Sequence, residues 1–122
     1  MARILIIDDN VFMRSVLIDK LEAGGHEVIW ASDGDVGIKL YKERHPDLVV
    51  TDIFMPGKNG LEVISEAKLL YPEAKIIAIS GGSIVKNSNC LHVAKDLGVT
   101  HCFEKPIEWE AFLAAVEKLC SD

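Results

Sequence analysis

Five short apolar runs recur along this chain of 122 residues, each followed by a polar turn and a stretch of helical spacing. Strands that alternate with helices pair in parallel, because each helix carries the chain back across the sheet, and such crossovers are right-handed. The run Leu48-Val49-Val50-Thr51 is apolar or β-branched throughout, as a strand buried on both faces requires. It ends on Asp52. In open sheets of this kind, ligands and chemistry collect at the carboxyl ends of the strands. A lone Asp after a strand often only caps a turn. This one has company: Asp8-Asp9 follows the run Ile4 to Ile7, Ser80 ends another run, and Lys105 follows the last.

Residues 3 to 7 are predicted to form the first strand. Asp9 or Asn10 then caps a helix with Val11, Phe12, Ser15, Ile18 and Leu21 near helical spacing, and Gly24-Gly25 closes it. His26 to Ala31 reads as the second strand, and Ser32-Asp33-Gly34 as the turn into a helix carrying Val36, Ile38, Leu40 and Tyr41, which His45-Pro46 ends. After the central strand, Met55 to Gly60 is a loop by its turn residues, and Leu61, Val63, Ile64, Ala67 and Leu70 resume helical spacing. Ala74 to Ser80 is the fourth strand. A fourth helix starts near Ser88 or Asn89 and ends at Gly98, Thr100 to Glu104 is the fifth strand, and Ile107 to about Cys120 is the last helix. The pattern predicts an α/β fold in one domain over residues 1–122: a doubly wound five-stranded parallel sheet, (βα)5, in the flavodoxin-like order 2-1-3-4-5. The switch point of that order lies between strands 1 and 3, which sets Asp8 and Asp9 beside Asp52. Strands 4 and 5 bring Ser80 and Lys105 to the same edge.

Composition narrows the functions. A hydrophobic content of 49% is ample for one core, and a net charge of −6 offers no footprint for nucleic acid or an anionic membrane. No apolar run reaches membrane-spanning length, and the opening run is too short for a signal-peptide core, so the expected location is cytoplasmic. Cys90, Cys102 and Cys120 are odd in number and lack CxxC spacing, so they read as reduced, packed side chains rather than a zinc or disulfide set.

Carboxylates about 4 Å apart repel by roughly 4 kcal/mol per pair at an effective dielectric of 20. The predicted cluster therefore needs a cation. Oxygen ligands with no His or Cys nearby in sequence favour a hard, hydrated ion, Mg²⁺ (or Mn²⁺), over zinc. With Lys105 as a second positive charge and Ser80 as a hydrogen-bond donor, the set holds what an aspartyl phosphate needs to form: a carboxylate nucleophile, a metal, an ammonium and a hydroxyl.

These residues resemble a known family, the receiver domains of two-component response regulators. The resemblance covers the whole chain and joins, in order, Asp8-Asp9, Asp52-Ile53-Phe54-Met55-Pro56 with Gly60 and Glu62, Ser80, and Lys105-Pro106. It implies that Asp52 is the phosphoacceptor and takes its phosphoryl group from a sensor histidine kinase, a histidine phosphotransfer protein or a small phospho-donor. It implies that Asp9, Asp52 and the backbone carbonyl of Phe54 ligate Mg²⁺, with Asp8 acting through water. Ser80 and Lys105 would contact the phosphoryl group, the Lys105-Pro106 bond would be cis, and a downstream protein would dock on the face of helix 4, strand 5 and helix 5.

Two departures fall on the output side. Receivers usually carry Tyr or Phe three residues before the lysine as a switch partner of the hydroxyl at Ser80, and here that position is Cys102. The segment after Ser80 is also long and glycine-rich. Activation is accordingly expected as a shift of residues 81 to 90, with Cys102 and Phe103 nearly still. The enzyme alternative, an aspartyl-nucleophile phosphatase or phosphotransferase of the haloacid-dehalogenase-like group, needs a second acid two residues after the nucleophile, where Phe54 stands. A flavin-binding reading fails on Gly57 to Gly60, too short for a phosphate-cradling loop.

Overall fold

The computed structural model describes residues 1–81, 92, 94–99 and 101–121. The chain forms β1 (Arg3–Ile7), α1 (Val11–Ala23), β2 (Glu27–Ala31), α2 (Gly34–Arg44), β3 (Leu48–Asp52), α3 (Gly60–Leu70) and β4 (Ile76–Ser80). Residues 92 and 94–96 are helical (α4), and β5 (His101–Glu104) and α5 (Trp109–Cys120) complete the order. All strand pairs are parallel, in the order β2-β1-β3-β4-β5.

Period-two alternation in the central strands builds a core on each face of the sheet. Leu5, Ile7, Val49, Ile76 and Ala78 face one side and pack with Ile38 and Tyr41 of α2, Val63, Ile64 and Ala67 of α3, and Ala94. Ile4, Ile6, Leu48, Val50, Ile77 and Ile79 face the other and pack with Leu17 and Leu21 of α1 and Phe112, Ala115 and Val116 of α5. The strands β3 and β4 are buried along their whole length, whereas the edge strands β2 and β5 are mostly half-buried.

The elements match the expected ones, with strand and helix ends displaced by one or two residues. β2 begins at Glu27 rather than His26, β4 at Ile76 rather than Ala74, and α5 at Trp109, capped by Glu108, rather than Ile107. One helical face differs in kind. Val11, Phe12 and Ser15 are exposed, and α1 buries Leu17 beside the expected Leu21, so the buried stripe runs along the second half of the helix. The predicted start of the fourth helix at Ser88 or Asn89, and most of the segment proposed to carry activation, lie outside the described residues.

Candidate functional site

The ends of four strands, β1, β3, β4 and β5, define the site. Asp8 follows β1 directly and Asp52 is the last residue of β3, its neighbour in the sheet. Asn10 caps α1 by accepting from the Met13 amide at 2.9 Å, which fixes the turn that carries Asp8 and Asp9. Carboxylate oxygens of Asp8, Asp9 and Asp52 lie within 4.8 Å of one another. Asp9 is exposed, while Asp8 and Asp52 are 1% and 5% exposed.

The buried pair is only partly satisfied. Asp8 Oδ1 accepts from the Asn10 amide at 2.9 Å, but Oδ2 is buried without a hydrogen-bond partner among the described residues and lies 3.9 Å from the Lys105 ammonium. Asp52 Oδ2 accepts from Lys105 Nζ at 3.4 Å, and its Oδ1 from the Phe54 amide, also at 3.4 Å. A single ammonium thus serves two buried carboxylates. Burial lifts the pKa of Asp52 to about 6; Lys105 pulls it down and Asp8 pushes it further up. Burial also raises the pKa of Asp8, against the opposing pull of the Asn10 amide and Lys105.

Ser80 ends β4 as a buried residue, and its carbonyl accepts from the Lys105 amide at 3.0 Å, tying the lysine's backbone to that strand end. Among the described residues its hydroxyl contacts the Gly81 carbonyl at 3.5 Å. The Lys105–Pro106 peptide bond is cis, as expected. Cys102 lies three residues before Lys105, opposite Ala78, half-buried against the core that holds α2 and α3. Phe103 packs on the opposite side, edge-on to Phe112.

Two supports were not legible as such in the sequence. An Arg14 Nη donates to the Asp8 carbonyl at 2.9 Å while the guanidinium stacks 4.2 Å from the Trp30 ring centre, so the edge strand β2 helps hold the first acid. Gly60 donates its amide to the Ile53 carbonyl at 2.8 Å, and a Cβ there would fall 2.1 Å from the Asp52 carbonyl oxygen. Only glycine permits that approach. The matched glycine spacing marked Gly60 as special; nothing in the sequence marked Arg14.

The chemistry of the donors suits a divalent hard cation. All three side chains offer oxygen, one oxygen of Asp8 is orphaned in the interior, and among the described residues Lys105 and Arg14 only partly offset the three carboxylates.

This sheet order, with acids at the ends of β1 and β3 and a lysine after β5, is that of a two-component signalling module. The chain belongs to the response regulator receiver domain family, whose profile matches residues 4–117. It is similar to protein CcdB of Bacillus subtilis (strain 168), 33% identical over 120 residues covering 98% of each chain. It is similar also to the chemotaxis protein CheY of the same organism, 35% identical over 117 residues covering 95% of each. The receiver domain of NtrX from Brucella abortus superposes with a TM-score of 0.88 at 30% identity, covering 97% of this chain and 98% of that one. Against the longer NtrX chain, the match spans only 27% of that protein. Receiver domains are signalling switches.

Proposed function

We propose that Asp52 is the phosphoacceptor of a two-component phosphorelay. The observation that carries this reading is the placement of a buried carboxylate, at the end of the central strand, between one ammonium and two further carboxylates. An Asp52 oxygen attacks the phosphorus of a phosphohistidine on a sensor kinase or phosphotransfer protein. The P–N bond breaks, the imidazole leaves with the electron pair, and an acyl phosphate remains. Lys105 moves from pairing Asp52 to pairing a phosphoryl oxygen, and the Ser80 hydroxyl, free to rotate away from Gly81, donates to another. Asp9, Asp52, the Phe54 carbonyl and, through water, Asp8 would hold Mg²⁺ or Mn²⁺. When bound, that ion neutralises charge between carboxylate and phosphoryl oxygens.

Exposed apolar groups flank the acids: Val11 and Phe12 follow Asp9 closely, and Phe54 stands two residues after Asp52. They offer a docking rim for the phospho-donor. Output would pass to a downstream protein through the face of α4, β5 and α5, with Ser80 and the Cys102 position as the switch. No helix among the described residues is long and apolar enough to cross a membrane, and the reading places the domain in the cytoplasm.

Incubation with acetyl phosphate and Mg²⁺ should add one phosphoryl group by intact mass, and Asp52→Asn should abolish the addition. Uptake by Asp52→Asn at the wild-type rate would remove Asp52 from the role.

A further inference from the structure

The loop that follows the phosphoacceptor is composed of turn residues, Met55-Pro56-Gly57-Lys58-Asn59-Gly60, and among them Met55 and Gly60 are buried. Its two ends are fixed locally. The Phe54 amide bonds Asp52, the Gly60 amide bonds Ile53, and Asn59 and Glu62 form a reciprocal cap at the start of α3. Its middle is fixed by one side chain. Lys58 Nζ hydrogen-bonds Glu66 of α3 and lies 3.4 Å from Asp35 of α2, so a single ammonium ties the loop to both helices.

The backbone shows the same closeness. A Cβ on Gly34, the first residue of α2, would sit 2.6 Å from the Lys58 carbonyl oxygen and 2.9 Å from its Cγ. One turn later a Cβ on Gly37 would sit 2.5 Å from Cδ1 of Ile7, the residue immediately before Asp8. The same helix therefore contacts the residue before Asp8 and the loop six residues after Asp52. The β1–β3 pairing fixes Asp8 and Asp52 relative to each other, so what the loop's position against α2 can set is the placement of the Phe54 backbone at its start.

We infer that Lys58 is a positioning residue for the phosphoacceptor site: through Asp35 and Glu66 it clamps the loop after Asp52 against α2, and so sets where the Phe54 carbonyl, the proposed backbone ligand, stands relative to the acids. The inference rests on the proposed reading of those acids as a Mg²⁺-dependent phosphoacceptor site. The Lys58 side chain is 19% exposed, its ammonium is engaged by two carboxylates on separate elements, and it touches none of the three clustered acids in the described contacts. Its effect is geometric. A purely electrostatic role has the opposite sign, since removing a cation from the neighbourhood of a metal site tightens metal binding.

The test compares wild type, Lys58→Met, which keeps an unbranched stem and loses the charge, and Lys58→Arg, which keeps the charge. In metal-free protein, amide exchange over residues 53–60 should accelerate in Lys58→Met and return toward wild type in Lys58→Arg. The Kd for Mg²⁺ should rise roughly tenfold in Lys58→Met, the lower range for groups that orient metal ligands. Glu66→Gln should weaken Mg²⁺ binding in the same direction, and the double variant should be no worse than Lys58→Met, because both changes release one clamp. Unchanged exchange together with an unchanged or tightened Mg²⁺ Kd in Lys58→Met and in Glu66→Gln would overturn the inference. A wild-type protein that binds no Mg²⁺ and accepts no phosphoryl group would instead overturn the functional reading, and the exchange data would still decide whether Lys58 holds the loop.

Discussion

Asp8 and Asp52 are held in the folded protein with their pKa values raised, Asp52 to about 6 from the ordinary 3.8. A carboxyl group raised in this way binds its proton more tightly folded than unfolded, so its contribution to stability is complete below pH 3.8. That contribution is lost as pH rises through about 6, and for Asp52 it amounts to about 3 kcal/mol. Near neutral pH the metal-free domain therefore carries the cost of two buried carboxylates, desolvation first and mutual repulsion second, which a cation or a neutral substitution relieves. Asp8→Asn should stabilise metal-free protein at pH 7.5 by about 1 kcal/mol or more, seen as a higher urea midpoint. The gap to wild type should shrink toward pH 4.5, where protonation does the same work. Saturating Mg²⁺ should stabilise wild type more than Asp9→Ala, and that stabilisation should grow from pH 5 to 7 as protons stop competing. Coincident midpoints for wild type and Asp8→Asn at both pH values would show that the buried pair is not under strain of this kind.

At the scale of elements, the strands were legible because short apolar runs alternate with stretches of helical spacing, and their order because that alternation fits the flavodoxin-like arrangement; β3 and β4 are buried along their length. The acids and lysine at the strand ends were legible for the same reason: topology alone brings Asp8, Asp52 and Lys105 together. Helical faces were less so. The first turn of α1 has the apolar pattern of a core-facing stripe, yet Phe12 is 84% exposed, since spacing reports which residues share a face and not what lies opposite. The Lys58 clamp was illegible because its partners, Asp35 and Glu66, sit on two other elements whose approach depends on Gly34 being flush with the loop. The contrast between Phe12 and Phe112 can be measured. Phe112→Ala, which empties a fully buried site between Phe103 and Trp109, should destabilise by about 3–5 kcal/mol. Phe12→Ala should change stability by no more than about 0.5 kcal/mol. It should leave acetyl phosphate labelling intact and slow transfer from a cognate phosphohistidine protein; an equal slowing with both donors would place Phe12 in the chemistry instead of the docking rim.

Across the whole molecule, the two cores sit on opposite faces of one sheet, and the site occupies only the carboxyl edge that both share. The strands that supply its acids, β1 and β3, are neighbours in the sheet but are separated in the chain by α1, β2 and α2, with Ile4 paired to Leu48 and Ile7 to Thr51. Lys105 arrives later still, after β5 has added to β4. The carboxylates thus meet only when long-range pairing has closed, which loop-closure entropy opposes. The consequence is kinetic. We expect the constellation to assemble after the folding barrier, so Mg²⁺ at the proposed site should lower the unfolding arm of the chevron and leave the folding arm in place. The cation would then govern how long a folded molecule lasts rather than how fast one forms, and a folding arm that shifts with Mg²⁺ would show that the acids come together before the barrier is crossed.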